Sequence, residues 1–339
     1  MVTVMTTTKQ DYALDELKFE STLGGIGLEA ETSYIPLIDV SDFDNRRAEI
    51  TEALWAAATE VGFFQLVNHG IELAEIQNTF KLSEQFFALD AEQKCQYPLK
   101  DGLNAGWEYM AQIRPSTGVA DRKESYQITL PHMSDLWPSE EVLPNFTQQM
   151  LSFEQQCWQL GMNILSCFAE RLGFAQDFFT RAHNPNSPEY QNTLRLLHYL
   201  PVEDPKKIDG NSWRAGAHTD FDCLTMVFQQ PNQGGLQVCG GKDARNQLVW
   251  YPVIPEAGVI TCNIGDMLMR WSDDQLKSTL HRVRMPRPEE GQHSRYSLAY
   301  FCQANKDQVI QGPQKMYDPI TAADYLKLRI NANFSETKK

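Results

Sequence analysis

The chain has 339 residues, of which 42% are apolar and 22% charged, an ordinary balance for a globular protein and too apolar for a chain disordered throughout. Its formal charge of −14, with no cluster of Lys and Arg, speaks against nucleic acid and anionic membrane surfaces as partners, since both need concentrated positive charge. Met1 to Gln10 lack the apolar core of a secretion signal, and no later apolar run is long enough to span a bilayer, so the expected location is cytoplasmic. The seven cysteines are odd in number and contain no Cys-x-x-Cys pair, which reads as reduced, packed thiols rather than disulfides or a zinc cluster.

In chain order, residues 1–34 are polar and glycine-interrupted and read as an N-terminal arm, lying on the surface or partly disordered. A region from 35 to 150 follows. It begins with a strand at Ile35–Val40, then a helix in which Ile50, Ala53, Leu54, Ala57 and Val61 repeat at helical spacing and which Gly62 ends. Phe63–Val67 gives a second strand closed by Asn68-His69-Gly70, and a further helix carries Ile76, Phe80 and Phe87 on one face. His69, at a strand end before glycine, reads as a turn histidine with local hydrogen bonds. From Gly102 to Tyr126 periodicity is lost and Trp107, Tyr109, Arg114 and Tyr126 gather, a mixture suited to a loop lining a cavity.

Residues 151–190 hold most of a long buttress helix and its connection. Phe146, Met150, Phe153, Cys157, Leu160, Ile164 and Cys167 recur at four-three spacing and describe one apolar stripe. From 191 to 303 the pattern is of short strands separated by Gly, Pro, Asn or Asp turns, which implies an antiparallel barrel or jelly roll; 304–339 is a C-terminal segment. The expected fold is therefore mainly β with flanking helices, a jelly-roll core joined to a helical N-terminal region.

Two constellations in the core carry chemistry. His218 and Asp220 stand at i and i+2 in an extended segment, so an imidazole and a carboxylate share one face. His281, in a second strand-like run, is the best third ligand. Two histidines and a carboxylate on one face of a metal leave positions open and are diagnostic of non-haem Fe(II) oxygenases. Cys223, three residues after Asp220, is the weaker alternative ligand. The second constellation is Arg295 and Ser297, again i and i+2, on the same strand face as Ala299 and Phe301. An arginine directed into an apolar barrel needs an anion, and the serine hydroxyl adds a donor for the same group, so the missing partner reads as an anionic ligand.

Taken together, His218-Thr-Asp220, Asn263-Ile264-Gly265-Asp266, Lys277-Ser278-Thr279-Leu280-His281-Arg282-Val283 and Arg295-Tyr296-Ser297 resemble the signature of iron(II)/2-oxoglutarate-dependent dioxygenases similar to isopenicillin N synthase. Ile35-Pro36-Leu37-Ile38-Asp39 and Gly62 to Gly70 resemble that group's N-terminal region, so the likeness runs from Ile35 to about Gln303. The resemblance implies a double-stranded β-helix core, Fe(II) held by His218, Asp220 and His281, and 2-oxoglutarate held by Arg295 and Ser297. It adds Tyr199 as a co-substrate contact, although Leu197 and Leu200 depart from the group's usual pattern there. The implied reaction oxidises a small organic molecule, chiefly by hydroxylation, consuming O2 and releasing succinate and CO2.

Discrimination among substrates is then expected from Trp107, Tyr109, Arg114, Tyr126 and Phe221, laid over the barrel mouth. The rival readings are an iron oxidase without 2-oxoglutarate, of the isopenicillin N synthase or aminocyclopropane carboxylate oxidase type, a zinc hydrolase, and a non-catalytic binder. The expected assembly is a monomer or weak homo-oligomer.

Overall fold

Alternating and helical apolar patterns resolve into two sheets clasped by helices. The structure is a computed structural model and describes residues 27–32, 35–113, 119–202, 212–242, 248–287 and 289–334. The N-terminal region holds β1 (Leu28–Glu29), β2 (Leu37–Asp39), helix α1 (Phe43–Glu60), β3 (Phe63–Val67), α2 (Leu73–Ala88) and α3 (Ala91–Lys94). It continues with β4 (Gly106–Tyr109), β5 (Lys123–Ile128), α4 (Phe146–Arg171) and α5 (Phe178–Ala182). Next come β6 (Thr193–Tyr199), β7 (Ala215–His218), β8 (Leu224–Gln229), β9 (Leu236–Lys242), β10 (Leu248–Pro252) and β11 (Ile260–Ile264). The chain ends with α6 (Asp266–Trp271), β12 (His281–Val283), β13 (Arg295–Cys302), β14 (Val309–Ile310), β15 (Ile320–Thr321) and α7 (Ala322–Phe334).

The larger sheet has eight strands in the order β2-β3-β11-β8-β13-β6-β5-β4, and the smaller has five in the order β1-β10-β9-β12-β7. They face each other as the halves of a jelly roll, and each sheet mixes strands far apart in sequence, which is how distant residues meet. Between them lies an apolar cluster of Phe63, Leu197, Tyr199 and Ala299 from the larger sheet with Ala215, Leu236, Val238 and Val283 from the smaller. The second core lies on the other face of the larger sheet, under the helices.

The buttress stripe is observed as expected: all seven of its residues are buried, and Phe153 packs on Phe228 of β8 with ring centroids 5.0 Å apart. Burial of each such side chain contributes about 1.5–3 kcal/mol. Gly161 lets α4 approach the sheet, because a Cβ there would sit 2.6 Å from Sγ of Cys302. The close contact offsets the roughly 0.5–1 kcal/mol that glycine costs inside a helix.

Two differences from the sequence reading bear on the site. Part of the arm has regular structure: Leu28–Glu29 pairs in parallel with β10 as the edge strand of the smaller sheet. The stretch from Gly102 to Tyr126 is not an aperiodic loop either, since β4 and β5 pair antiparallel and form the edge of the larger sheet. No helix among the described residues is long and apolar enough to cross a membrane.

Candidate metal centre and active site

His218 ends β7 and His281 begins β12, and the two strands pair so that these residues stand directly opposite. A register shift between His281 and Val283 makes this possible, an irregularity of the kind that re-aims side chains beside active sites. The imidazole centroids are 4.3 Å apart. Their Nε2 atoms face the Asp220 carboxylate at 3.8 Å from His218 and 3.7 Å from His281, too far for hydrogen bonds. The three ligand atoms all lie within 4.8 Å of one another, and they form the group of this kind found among the described residues.

The surroundings prepare these groups for a metal. Nδ1 of His218 donates to the Gly216 carbonyl at 2.7 Å and Nδ1 of His281 to that of Thr279 at 3.3 Å, so both rings carry their proton on the far nitrogen and present Nε2 as a lone-pair donor. Oδ2 of Asp220 accepts from Thr225 at 2.7 Å and from Asn263 at 2.9 Å. These bonds orient the carboxylate and leave Oδ1 for a cation. The donor set of two neutral imidazoles and one carboxylate fits a divalent iron with open positions. Cys223 is not part of it: its thiol is buried and does not belong to the group of ligand atoms that lie together.

Across the barrel, Arg295 is 2% exposed, and burial draws its pKa below the usual guanidinium value. Its Nε donates to the carbonyls of Gln233 (2.8 Å) and Gly234 (3.1 Å), and one terminal nitrogen to Oε1 of Gln229 at 2.9 Å. The other terminal nitrogen donates to Oγ of Ser297 at a long 3.5 Å, and the Tyr199 side chain is a further hydrogen-bond partner of the guanidinium. The ring of Tyr199, directly opposite in the ladder, lies 4.7 Å from the guanidinium carbon. No carboxylate among the described residues pairs with Arg295. Its weakly engaged terminal nitrogen, with the Ser297 hydroxyl beside it, suits a carboxylate brought by a ligand.

Strand register decides which other residues share this face. Arg295, Ser297, Ala299 and Phe301 on β13 stand opposite Tyr199, Leu197, Arg195 and Thr193 on β6, and β5 continues the rows with Lys123, Ser125 and Gln127. Phe301 also stands opposite Thr225, the partner of Asp220, so this is the face that looks toward the triad. On β4 the same face carries Glu108, opposite Ser125. A polar chain results: Glu108 accepts from Ser125 (2.7 Å), Gln112 (2.9 Å) and Gln127 (3.2 Å), and Gln127 accepts from Arg195 at 2.6 Å. The Arg195 guanidinium sits 4.9 Å from the Phe301 ring centre. Glu108, Arg195 and Phe301 keep partial exposure, as side chains lining an open cavity do.

The expected substrate wall needs correction here. Trp107, Tyr109 and Tyr126 lie on the opposite face of the sheet, because Trp107 pairs with Tyr126 and Tyr109 with Glu124 in the alternate rows. Tyr126 is fully buried against Phe86, 4.2 Å between centroids, with its hydroxyl on the Leu136 carbonyl. Trp107 donates to Glu124 at 2.7 Å and lies under the Lys94 ammonium, and Tyr109 is 52% exposed. Arg114 falls outside the described residues. Phe221 does stand beside the ligand strand, next to Asp220 and partly exposed. His69 is a turn residue, bonded to the Gly258 carbonyl at 2.9 Å and to the Ile71 amide at 3.2 Å.

Sequence reasoning passed over Thr225, Glu108, Gln127 and Arg195, and it quoted Asn263 in a motif without giving it a role. For Arg195 a signal was present: if Tyr199 faces inward, alternation places residue 195 inward as well. Glu108 and Gln127 had no such anchor, since β4 and β5 were not recognised.

Comparison with known proteins agrees with this geometry. Residues 35–145 match the model of the non-haem dioxygenase in morphine synthesis N-terminal region, and residues 190–304 that of the 2OG-Fe(II) oxygenase superfamily. The proline hydroxylase buaE of Petromyces alliaceus is 32% identical over 288 residues, covering 80% of this chain and 87% of that protein. The 2-oxoglutarate-dependent dioxygenase htyE of Aspergillus rugulosus is 30% identical over 336 residues, covering 88% and 99%. The crystal structure of full-length Neurospora crassa T7H in complex with alpha-KG and thymine superposes with a TM-score of 0.77 at 30% identity, covering 90% of this chain and 98% of that one. The chain belongs to the 2OG-Fe(II) oxygenase superfamily, in its isopenicillin N synthase-like branch, and is an Fe(II)- and 2-oxoglutarate-dependent dioxygenase.

Proposed function

We propose that His218, Asp220 and His281 hold the iron, that Arg295 and Ser297 bind the distal carboxylate of 2-oxoglutarate beside Tyr199, and that the reaction is hydroxylation of a compact polar molecule. Iron, when bound, supplies the activation of O2. The side chains supply the rest. The observation that carries the co-substrate assignment is Arg295, buried in the barrel without a carboxylate partner among the described residues and on the face that looks toward the triad. A guanidinium in that position is stabilised when an anion arrives, and the distal carboxylate of 2-oxoglutarate is such an anion; the relatives named 2-oxoglutarate-dependent dioxygenases favour it over a substrate carboxylate.

The primary substrate is proposed to rest on the row of Glu108, Gln127, Arg195 and Phe301, with Phe221 at the metal side. Gln127 links a carboxylate to a guanidinium, so the row offers charged groups of both signs and a flat apolar ring. A small molecule with hydrogen-bonding groups on a compact frame suits it better than a long lipid. The relatives fit that class: one is named a proline hydroxylase, and T7H has been crystallised with thymine. The net charge of −14 supports a small-molecule partner over nucleic acid, and a monomer or weak homo-oligomer in the cytoplasm needs nothing further for this chemistry.

The test is a screen of small polar compounds in which 2-oxoglutarate consumption, succinate release and substrate oxidation are followed together. The reading requires succinate in step with product. Oxidation that proceeds without 2-oxoglutarate would overturn it.

A further inference from the structure

The C-terminal helix α7 reaches the metal loop through one buried side chain. Arg329 and Asp266 are both 0% exposed and form an ion pair through Nη2 and Oδ2. Asp266 opens α6, and its backbone N–H donates to the Asp220 carbonyl at 2.8 Å. The same Oδ2 accepts from the Thr219 hydroxyl at 3.0 Å, and Arg329 itself donates to that hydroxyl at 3.4 Å. The Arg329 guanidinium also stands 5.3 Å from the ring centre of Phe221. Thr219, Asp220 and Phe221 are thus each touched by the pair.

We infer that Arg329 is a positioning residue for the segment that carries His218 and Asp220, so that docking of the C-terminal helix sets the geometry of the metal centre. The inference rests on the proposed metal role of His218, Asp220 and His281. The physical reason is charge and shape. Asp266 is a fully buried carboxylate whose backbone is bonded to that of Asp220, so it needs an opposite charge at that position. A guanidinium against Asp266 offsets that charge, and its Nη2 serves both Asp266 and Thr219 while the flat group stands beside the Phe221 ring, a combination of contacts that lysine reproduces only in part. Without it Asp266 is buried next to the ligand carboxylate with no opposite charge on it, and the segment between the two ligands must shift. Outer partners of metal ligands act in this way by fixing orientation.

The rival reading makes Arg329 only an anchor for α7. That helix has other anchors: Tyr325 is 1% exposed, and the amides of Ala322 and Ala323 bond to the carbonyls of Gln308 (2.8 Å) and Lys306 (3.1 Å). Shortening one side chain therefore leaves the helix held.

The experiment uses full-length, metal-stripped protein titrated with Co(II), whose visible ligand-field bands report the coordination, with thermal melting of the metal-free protein alongside. Arg329→Met is expected to weaken Co(II) binding about 10–100-fold and to alter the bands. Arg329→Lys should recover part of the loss. The double variant Arg329→Met/Asp266→Asn removes both buried charges and carries the test if the single variant does not fold; it should melt close to wild type yet bind Co(II) weakly with altered bands. Wild-type affinity and an unchanged spectrum in the double variant, or in a folded Arg329→Met, overturn the inference. Co(II) binding that survives His218→Ala at full strength overturns the metal assignment beneath it, a separate failure.

Discussion

The Thr225 hydroxyl donates to Oδ2 of Asp220 at 2.7 Å from the strand that pairs with the Arg295 strand, so the two ends of the candidate site are built on adjacent strands. Thr225 is 1% exposed and its hydroxyl also lies 3.1 Å from Asp222, a carboxyl that burial first and the Asp220 charge second push well up. Thr225→Val keeps the shape and removes the donor. Metal affinity should fall about 10-fold or more while the metal-free protein melts near the wild-type temperature. Calorimetric titration with Co(II) checks it.

At the other end, Arg295→Met should raise the half-saturating 2-oxoglutarate concentration strongly. Loss of one partner of a buried charged pair costs about 2–5 kcal/mol. Metal binding should be nearly unchanged, because Arg295 contacts none of the triad. Equilibrium binding of 2-oxoglutarate to the metal-loaded variant, measured without O2, reads this directly; an unchanged affinity would remove Arg295 from the co-substrate site.

The alternation along β4 and β6 gives a paired test. Arg195→Met alters the face toward the triad and should uncouple the reaction, with 2-oxoglutarate still consumed while oxidation of the primary substrate falls. Trp107→Phe alters the other face, removes the donor to Glu124, and should cost about 1–3 kcal/mol of stability while leaving coupling intact. Succinate and product measured together in both variants decide between the two faces; uncoupling by Trp107→Phe alone would reverse the assignment.

A fourth expectation concerns pH. Glu154 is 4% exposed on α4, and burial raises its carboxyl pKa above the ordinary 4.5 although the Tyr190 and Tyr300 hydroxyls oppose the shift. A raised folded pKa means the folded state holds the proton more tightly than the unfolded one. This contribution to stability is complete below about 4.5 and is lost as pH rises through the folded value. Glu154→Gln, which cannot ionise, should therefore gain on the wild type as pH increases from that point. Denaturant unfolding of both proteins at several pH values is the check, and a constant difference would show that Glu154 does not titrate in this way.

What could be read from the chain followed the length scale of each signal. His218 and Asp220 announced themselves by spacing two apart, and Arg295 and Ser297 did so by the same alternation, because strand periodicity is local. The α4 stripe was legible for the same reason at helical period. The segment from Gly102 to Tyr126 was not. Its aromatic residues suggested a cavity wall, but Tyr126 packs on α2 and α4 and Trp107 lies under Lys94 of α3, while the polar Glu108 and Gln127, unremarkable in sequence, lie on the other face. Only the pairing of β4 with β5 and of β5 with β6 settles which alternate residues point inward. Arg329 is a stronger case of the same limit, since its partners Asp266 and Thr219 are distant in the chain and nothing in the helix pattern around it marks a role.

The central claim is that His218, Asp220 and His281 hold an iron that chelates 2-oxoglutarate. The most direct measurement is anaerobic reconstitution with Fe(II) and 2-oxoglutarate, followed by visible absorption of the metal-to-ligand charge-transfer band, in the wild type and in Asp220→Ala and His281→Ala. The account predicts a weak band that appears in the wild type only when both components are present and is lost in each variant. A band of wild-type strength in either variant, or none in a metal-loaded wild type, would contradict it.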